Sequence, residues 1–180
     1  MKYIKISNKN MKLRFHGCDP DYIQSVCHSS CCNSSKYGTM ITIHPSEECK
    51  IRELGYEVSN GLLVCKDCCV FKKEFLCSLH NTEYKPFGCI VSPFTLNSND
   101  TLIVRNRYKL LKCYEKSSGI PAYIAFKASL ELLFEQEYYK ILCDHLDTRD
   151  SDIVLPIKNK IYQMLHDNDT IKKLRIHGKT

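Results

Sequence analysis

The sequence is unusual in its cysteines, of which there are 12 among 180 residues. Nine of them lie between residues 27 and 89, and apart from Cys49 these are the candidate ligands: Cys27, Cys31, Cys32, Cys65, Cys68, Cys69, Cys77 and Cys89. The first three have the spacing C-x3-C-C and the next three C-x2-C-C. Closely spaced thiolates place several soft ligands within about 2.3 Å of one ion at a small loop-closure cost. The stretch therefore predicts a metal centre, with thiols enough for one cluster or for two four-ligand sites.

Two pairs of these cysteines are adjacent in the chain, Cys31-Cys32 and Cys68-Cys69. Neighbouring side chains of an extended backbone point to opposite sides. Either one member of each pair is structural, or the pairs bridge two metal centres. Cys18 is an alternative ligand for one member of the first group.

The cellular compartment of the protein also bears on whether its thiols bind metal or form disulfides. Residues 1–15 alternate Lys with apolar residues and lack the apolar run of a secretory signal. No stretch approaches the 18 uninterrupted apolar residues of a membrane-spanning helix. These patterns predict a cytoplasmic protein without a membrane segment. Clustered thiols in a reducing cytosol are more often metal ligands than disulfides.

Hydrophobic patterning predicts the elements that position the cysteines. Residues 1–6 and 11–15 are expected to form an edge hairpin, and residues 39–44 a short strand. A helix is predicted to begin at Pro45, with acidic residues in its first turn, and to end near Gly55. A second hairpin is expected over residues 56–65, turning at Ser59-Asn60-Gly61.

The second half of the chain is predicted to be more helical. Residues 102–113 fit a strand followed by a helix, or one helix, and apolar periodicity predicts helices over 121–146 and 156–174. The fold class expected is α+β. A small cysteine-cluster domain with short strands, organised by metal, is placed at residues 1–116, and a helical extension at 117–180 packs on it.

The order of these motifs resembles the YkgJ-type cysteine-cluster family, a zinc- or iron-chelating domain. The family has a cysteine group ending in C-C, an acidic helix start, and three later cysteine segments that end near a Phe-Pro pair. The matching segments cover about residues 18–95 of this sequence: Cys27 to Cys32, Glu47 or Glu48, Cys69-Val70-Phe71, Cys77-Ser78-Leu79-His80, Lys85-Pro86-Phe87-Gly88-Cys89 and Ser92-Pro93-Phe94.

The resemblance implies a set of ligands and a cofactor. The first six ligand candidates are Cys27, Cys31, Cys32, Cys69, Cys77 and Cys89, followed by Cys65 and Cys68. The cofactor is then an iron–sulfur cluster, such as a [4Fe-4S] centre, or Zn²⁺. One hypothesis is a metalloenzyme or redox subunit that acts in the modification of a macromolecule. Whether the protein is an enzyme is left open.

The alternative hypothesis is a structural-zinc module that contacts a nucleic acid or a protein partner. The chain has a net charge of +6, and most of the excess lies between residues 61 and 116. The candidate contact residues in this region are Arg105, Arg107, Tyr108, Lys109 and Lys112. The basic side chains would bind phosphates, and the tyrosine would stack on a base. The simpler interpretation of this segment is a solvated face.

Overall fold

The computed structural model describes residues 1–33, 41–66, 68–80 and 82–177, with side chains described up to residue 168. The chain packs as two units. Unit 1 is made of residues 1–19 and 91–163, and unit 2 of residues 20–90 and 164–180. This division follows packing and differs from the division at residue 116 that composition and motifs suggested.

The described residues combine short strands with helices, which confirms the α+β class. The strands are β1 (Lys2–Ile6), β2 (Arg14–Phe15), β3 (Val58–Ser59), β4 (Leu62–Leu63), β5 (Lys72–Lys73), β6 (Leu76–Cys77), β7 (Phe94–Leu96), β8 (Thr101–Val104), β9 (Ile120–Pro121) and β10 (Ile153–Ile157). The α-helices are α1 (Asn8–Met11), α2 (Pro20–Tyr22), α3 (Pro45–Glu53), α4 (Phe87–Ile90), α5 (Ala122–Ala125), α6 (Lys127–Thr148) and α7 (Asn159–His177). None of these helices is long and apolar enough to cross a membrane.

Unit 1 is built on a four-stranded sheet with the order β10-β1-β8-β7. β1 pairs antiparallel with β10 and parallel with β8. Ile4 and Ile6 are buried while Lys5 between them is exposed, as expected for a strand with one covered face. The predicted edge hairpin of residues 1–6 and 11–15 is wrong, because β1 pairs with β10 and β2 pairs with β9. α1 follows β1 instead, because Ser7 caps its N-terminus.

The helices predicted in the second half are confirmed with two differences. The first is divided into α5 and α6, and α6 is itself interrupted at Glu135, where φ is 62°. The second begins at Asn159 rather than Pro156, because residues 153–157 form β10. The predicted helical extension therefore also supplies a strand to the sheet of unit 1. For residues 102–113 the strand-first alternative is correct, since β8 precedes a 3₁₀ helix at Asn106–Leu110.

Unit 2 contains α3 and the hairpin of β3 and β4, both as predicted. α3 begins with a capping box, in which the Glu47 side chain accepts a hydrogen bond from the His44 N–H. The helix ends before Gly55, which has a φ of 82°. Asn60 and Gly61 both have positive φ, as a two-residue type I′ turn requires. The strand expected at 39–44 lies partly outside the described residues, and Thr42 forms one bridge with Leu62.

Candidate metal centre

The first cysteine group lies on a sharply bent loop of unit 2. A π-helical turn, Ile23–Cys27, precedes the bend, and a 3₁₀ turn, Ser30–Cys32, follows it. His28 and Ser29 between them both have a φ of 49°, a left-handed conformation that is uncommon outside glycine. The Ser30 hydroxyl donates a hydrogen bond to the Cys27 carbonyl. The bend thereby separates Cys27 from the adjacent pair Cys31 and Cys32 by a short, hydrogen-bonded turn.

Backbone hydrogen bonds join this loop to the second cysteine group. The Cys69 N–H donates to the Cys32 carbonyl at 2.8 Å. The Lys72 ammonium donates to the His28 carbonyl at 2.9 Å. The loop is thus attached at both ends to the segment that carries Cys69 and β5. The two C-C pairs are 37 positions apart in the sequence, which does not specify their contact, whereas the backbone bond brings Cys32 and Cys69 side by side.

Cys89 is presented by α4, a single helical turn. The carboxylate of Glu47 accepts a hydrogen bond from the Phe87 N–H at 2.7 Å and another from the His44 N–H at 3.0 Å. One side chain therefore satisfies N–H groups at the start of α3 and of α4. The sequence indicated only a role at the start of α3, because a link to residue 87 has no local signal.

Five of the eight predicted thiols belong to one apolar cluster of unit 2. Cys69 is part of the buried core of this cluster, with only 3% of its surface exposed. The other four are partly buried and pack against that core: Cys32, Cys65, Cys77 and Cys89. Aliphatic and aromatic residues surround the thiols, including Phe71 and Leu79. The cysteines accordingly face a place from which water is largely excluded.

Hydrogen bonds connect four thiols in the order Cys31, Cys32, Cys69, Cys65. The Sγ atoms of Cys31 and Cys32 are 3.9 Å apart. The hydrogen bond from Cys69 lowers the pKa of Cys65 to about 7, against the opposing effect of burial. The pKa of Cys69 is raised to about 12: the bond from Cys32 lowers it, but the bond to Cys65 and burial outweigh that. Of Cys32, Cys65 and Cys69, Cys65 is therefore the thiol that deprotonates most readily.

The Cys32 thiol behaves like that of Cys69. The bond from Cys31 lowers the pKa of Cys32, but the bond to Cys69, burial and the neighbouring Cys89 raise it to about 12. Cys89 also raises the pKa values of Cys65 and Cys69 through charge repulsion. Cys32, Cys65, Cys69 and Cys89 are hereafter called the thiol cluster, since each interacts with at least two of the other three. Their mutual repulsion as thiolates is what a bound cation would relieve.

In each pair of adjacent cysteines, the second member belongs to the apolar cluster of unit 2. Cys69 is buried while Cys68 is exposed, and the Cys32 thiol interacts with both Cys69 and Cys31. The second member of each pair thus joins the thiol cluster.

The remaining predicted ligands occupy different positions. Cys27 is buried at the end of the π-helical turn, and Cys77 lies on β6 beside Lys72. Cys18, the alternative ligand, is exposed and belongs to unit 1. Among the described residues, no three side chains of His, Cys, Asp or Glu converge as the ligands of one metal ion would. The thiol cluster fits a thiophilic metal by its donor type and number, and binding would require its four sulfur atoms to turn toward one point.

The basic segment predicted for nucleic acid lies in unit 1, and two of its five candidate residues are buried. Arg105 and Tyr108 are 9% and 5% exposed, and the Arg105 guanidinium donates to the Ser92 hydroxyl at 3.3 Å. The Arg107 guanidinium lies 5.2 Å from the centre of the Tyr108 ring. Only Lys109 and Lys112 are fully exposed, with Arg107 half-exposed. In this conformation Tyr108 presents no face on which a base could stack.

Comparisons with known proteins add no assignment to this geometry. No family model, no curated protein and no solved structure matches the chain. The resemblance of residues 18–95 to the YkgJ-type family accordingly stays a prediction.

Proposed function

We propose that this chain is a metal-binding protein, and that Cys32, Cys65, Cys69 and Cys89 are the principal ligands of its metal. The observation that supports this most directly is the thiol cluster itself. Four cysteines from three separate segments interact in one largely apolar place, and two of them have pKa values of about 12. A bound cation would favour the thiolate form of these thiols, which burial and their mutual repulsion oppose.

Two cofactors fit four thiol ligands. Bound Zn²⁺ would act as a structural centre with a closed tetrahedral shell, whereas an iron–sulfur cluster would supply one-electron transfer. The protein's own contribution is the same for both: it brings the ligands together, excludes water and surrounds the sulfurs with apolar side chains. In this proposal the other four predicted ligands do not bind the principal metal, and they would bind only a second or larger centre: Cys27, Cys31, Cys68 and Cys77.

The deciding experiment measures iron, zinc and acid-labile sulfide per chain in protein purified without oxygen, together with its visible spectrum. We expect about one metal centre per chain. Iron with matching sulfide and absorbance near 400 nm would identify an iron–sulfur protein and favour the redox hypothesis. Zinc without sulfide would give a colourless protein and favour the structural module, because Zn²⁺ is d¹⁰. Protein that contains neither metal nor sulfide would contradict the proposal.

Single substitutions locate the centre. Cys65→Ser and Cys89→Ser are each expected to lower the metal content strongly, because each removes one of four ligands. Cys49→Ser is the matched control, since Cys49 is an exposed thiol of the same unit that bonds to Glu53 instead. Full metal content in both Cys65→Ser and Cys89→Ser would show that the centre lies elsewhere.

The alternative function, a nucleic-acid or protein contact through residues 105–112, has weaker support. Burial of Arg105 and Tyr108 leaves three basic side chains for phosphate contact. Three phosphate contacts predict a slope of log K against log salt of only about −3 on duplex DNA. A slope of about that size that flattens when these three side chains are replaced would favour this alternative, and binding that does not depend on salt would count against it.

A further inference from the structure

Two polar side chains are buried in unit 2 with no hydrogen-bond partner among the described residues. Thr42 and Asn168 are each 1% exposed. The Thr42 hydroxyl and both polar atoms of the Asn168 amide are unpaired there. An unpaired buried polar group costs about 1–3 kcal/mol, and the large majority of such groups in proteins are satisfied by protein or ordered water. Three unpaired atoms in one place therefore point to a bound polar molecule.

The position of Gly88 shows that these atoms lie close together. A Cβ built on Gly88 would be 2.6 Å from the Thr42 Oγ1 and 3.5 Å from the Asn168 Nδ2. Both atoms thus surround one point beside the Gly88 backbone, yet they do not bond to each other. These two distances bound the separation of the two polar atoms, and one oxygen atom that makes hydrogen bonds of about 2.9 Å can reach both within nearly all of that bound.

The donors and acceptors select the kind of molecule. The Asn168 amide offers one donor group and one acceptor, and the Thr42 hydroxyl can act as either. An anion would leave the amide oxygen unpaired, and a cation would leave the amide nitrogen unpaired. Both conclusions hold whichever way round the oxygen and nitrogen of the Asn168 amide are assigned. We propose that an ordered water molecule bridges Thr42 and Asn168 beside Gly88, and that this bridge makes both residues positioning residues for Cys89.

The second part of the inference rests on the proposed function. Gly88 lies between Phe87, whose N–H is held by Glu47, and Cys89, a member of the thiol cluster. The bridge contacts this turn on the face of Gly88, where even a methyl group would meet the Thr42 hydroxyl. The Cys89 thiol therefore belongs to a turn that two contacts position. Glu47 accepts a hydrogen bond from Phe87, the first residue of the turn, and Thr42 and Asn168 lie against Gly88, the second.

The direction in which one substitution changes the stability of metal-free protein tests whether the bridging water is present. Thr42→Val keeps the shape of the side chain and removes its hydroxyl. With a water present, the variant loses a hydrogen bond, and we expect the unfolding equilibrium constant to rise about fivefold, as one such bond implies. If the site is dry, the wild-type hydroxyl is itself unfavourable, and Thr42→Val would leave the constant unchanged or lower it. That result would overturn the bridge, as would a high-resolution structure with no water between the two side chains.

Metal release tests the positioning role. Zinc-loaded Thr42→Val should lose zinc to a chromogenic chelator several times faster than wild type. Ile51→Val is the control, because Ile51 is 1% exposed in the same unit and its truncation loosens the core without touching Gly88. Equal release from the two variants would overturn the positioning role. A wild-type protein that takes up no metal would instead overturn the proposed function, while the stability of metal-free Thr42→Val would still decide whether the water is there.

Discussion

The carboxylate of Glu47 joins two helix starts, since it accepts hydrogen bonds from the N–H groups of Phe87 and His44. Phe87 begins α4, the turn that carries Cys89. A residue 40 positions away in sequence therefore sets the direction of a candidate ligand. This relationship connects the stability of unit 2 with the geometry of the thiol cluster.

Glu47→Ala should destabilise the protein strongly. The substitution leaves two backbone N–H groups without their charged acceptor, and hydrogen bonds to charged groups contribute about 1.5–3 kcal/mol each. We expect a loss of about 2–4 kcal/mol in the free energy of unfolding, measured by urea denaturation. Glu48→Ala is the control, because Glu48 pairs only with Arg52 on the helix surface, and exposed pairs are worth about 0.5 kcal/mol. Equal losses in the two variants would show that the Phe87 bond is unimportant.

Adjacent cysteines should differ sharply in metal retention. Cys69→Ala removes a buried member of the thiol cluster, whereas Cys68→Ala removes an exposed thiol beside it. We expect metal content to fall by more than half in Cys69→Ala and to change little in Cys68→Ala, measured by elemental analysis of anaerobically purified protein. Similar losses from both would mean that the two members of the pair bind, as in a centre that bridges them.

In metal-free protein, Cys65 should be the most reactive thiol near neutral pH. The thiolate is the nucleophile, and the pKa of Cys65 is lowered to about 7 by the hydrogen bond from Cys69. The rate of alkylation by iodoacetamide should therefore rise as the pH increases through about 7 and level off about one unit above.

Two comparisons check the cause of that reactivity. Cys49 is exposed, but its hydrogen bond to Glu53 raises its pKa, so its alkylation should rise only at higher pH. Cys69→Ala removes the donor to Cys65 and should move the Cys65 midpoint upward, toward the ordinary thiol value of about 8.5. A midpoint that stays near 7 in Cys69→Ala would assign the lowered pKa to another group. Mass spectrometry of the modified peptides distinguishes the sites.

Tyr108 should contribute to the stability of unit 1 rather than to binding. Its side chain is buried, and replacing a large buried aromatic side chain by Ala costs about 3 kcal/mol or more. Tyr108→Ala should lower the urea midpoint accordingly, whereas Lys109→Ala on the exposed surface should change the free energy of unfolding by less than about 0.5 kcal/mol. A stable Tyr108→Ala protein with reduced affinity for single-stranded nucleic acid would restore the binding role.

The sequence by itself determined the elements whose signals are local. The start of α3 at Pro45, with acidic residues in its first turn, and the hairpin turn that contains Asn60 and Gly61 are specified by residues within a few positions of each other, and both were predicted. The grouping of cysteines likewise identified the part of the chain in which the thiol cluster is found. Local chemistry of this kind is visible in the order of residues because the atoms that interact are close in the chain.

Only the tertiary structure decided which distant groups meet. The strand Lys2–Ile6 pairs with Ile153–Ile157 rather than with its neighbour, because both present apolar residues to one face and no local turn competes. Similarly, the sequence made Tyr108 a candidate nucleic-acid contact, whereas in the structure its side chain is buried in the core. The choice of Cys32 and Cys69 as the inner members of their pairs depends on backbone bonds across 37 residues. Such contacts follow from packing and hydrogen-bond satisfaction over the whole fold, which residue spacing alone does not encode.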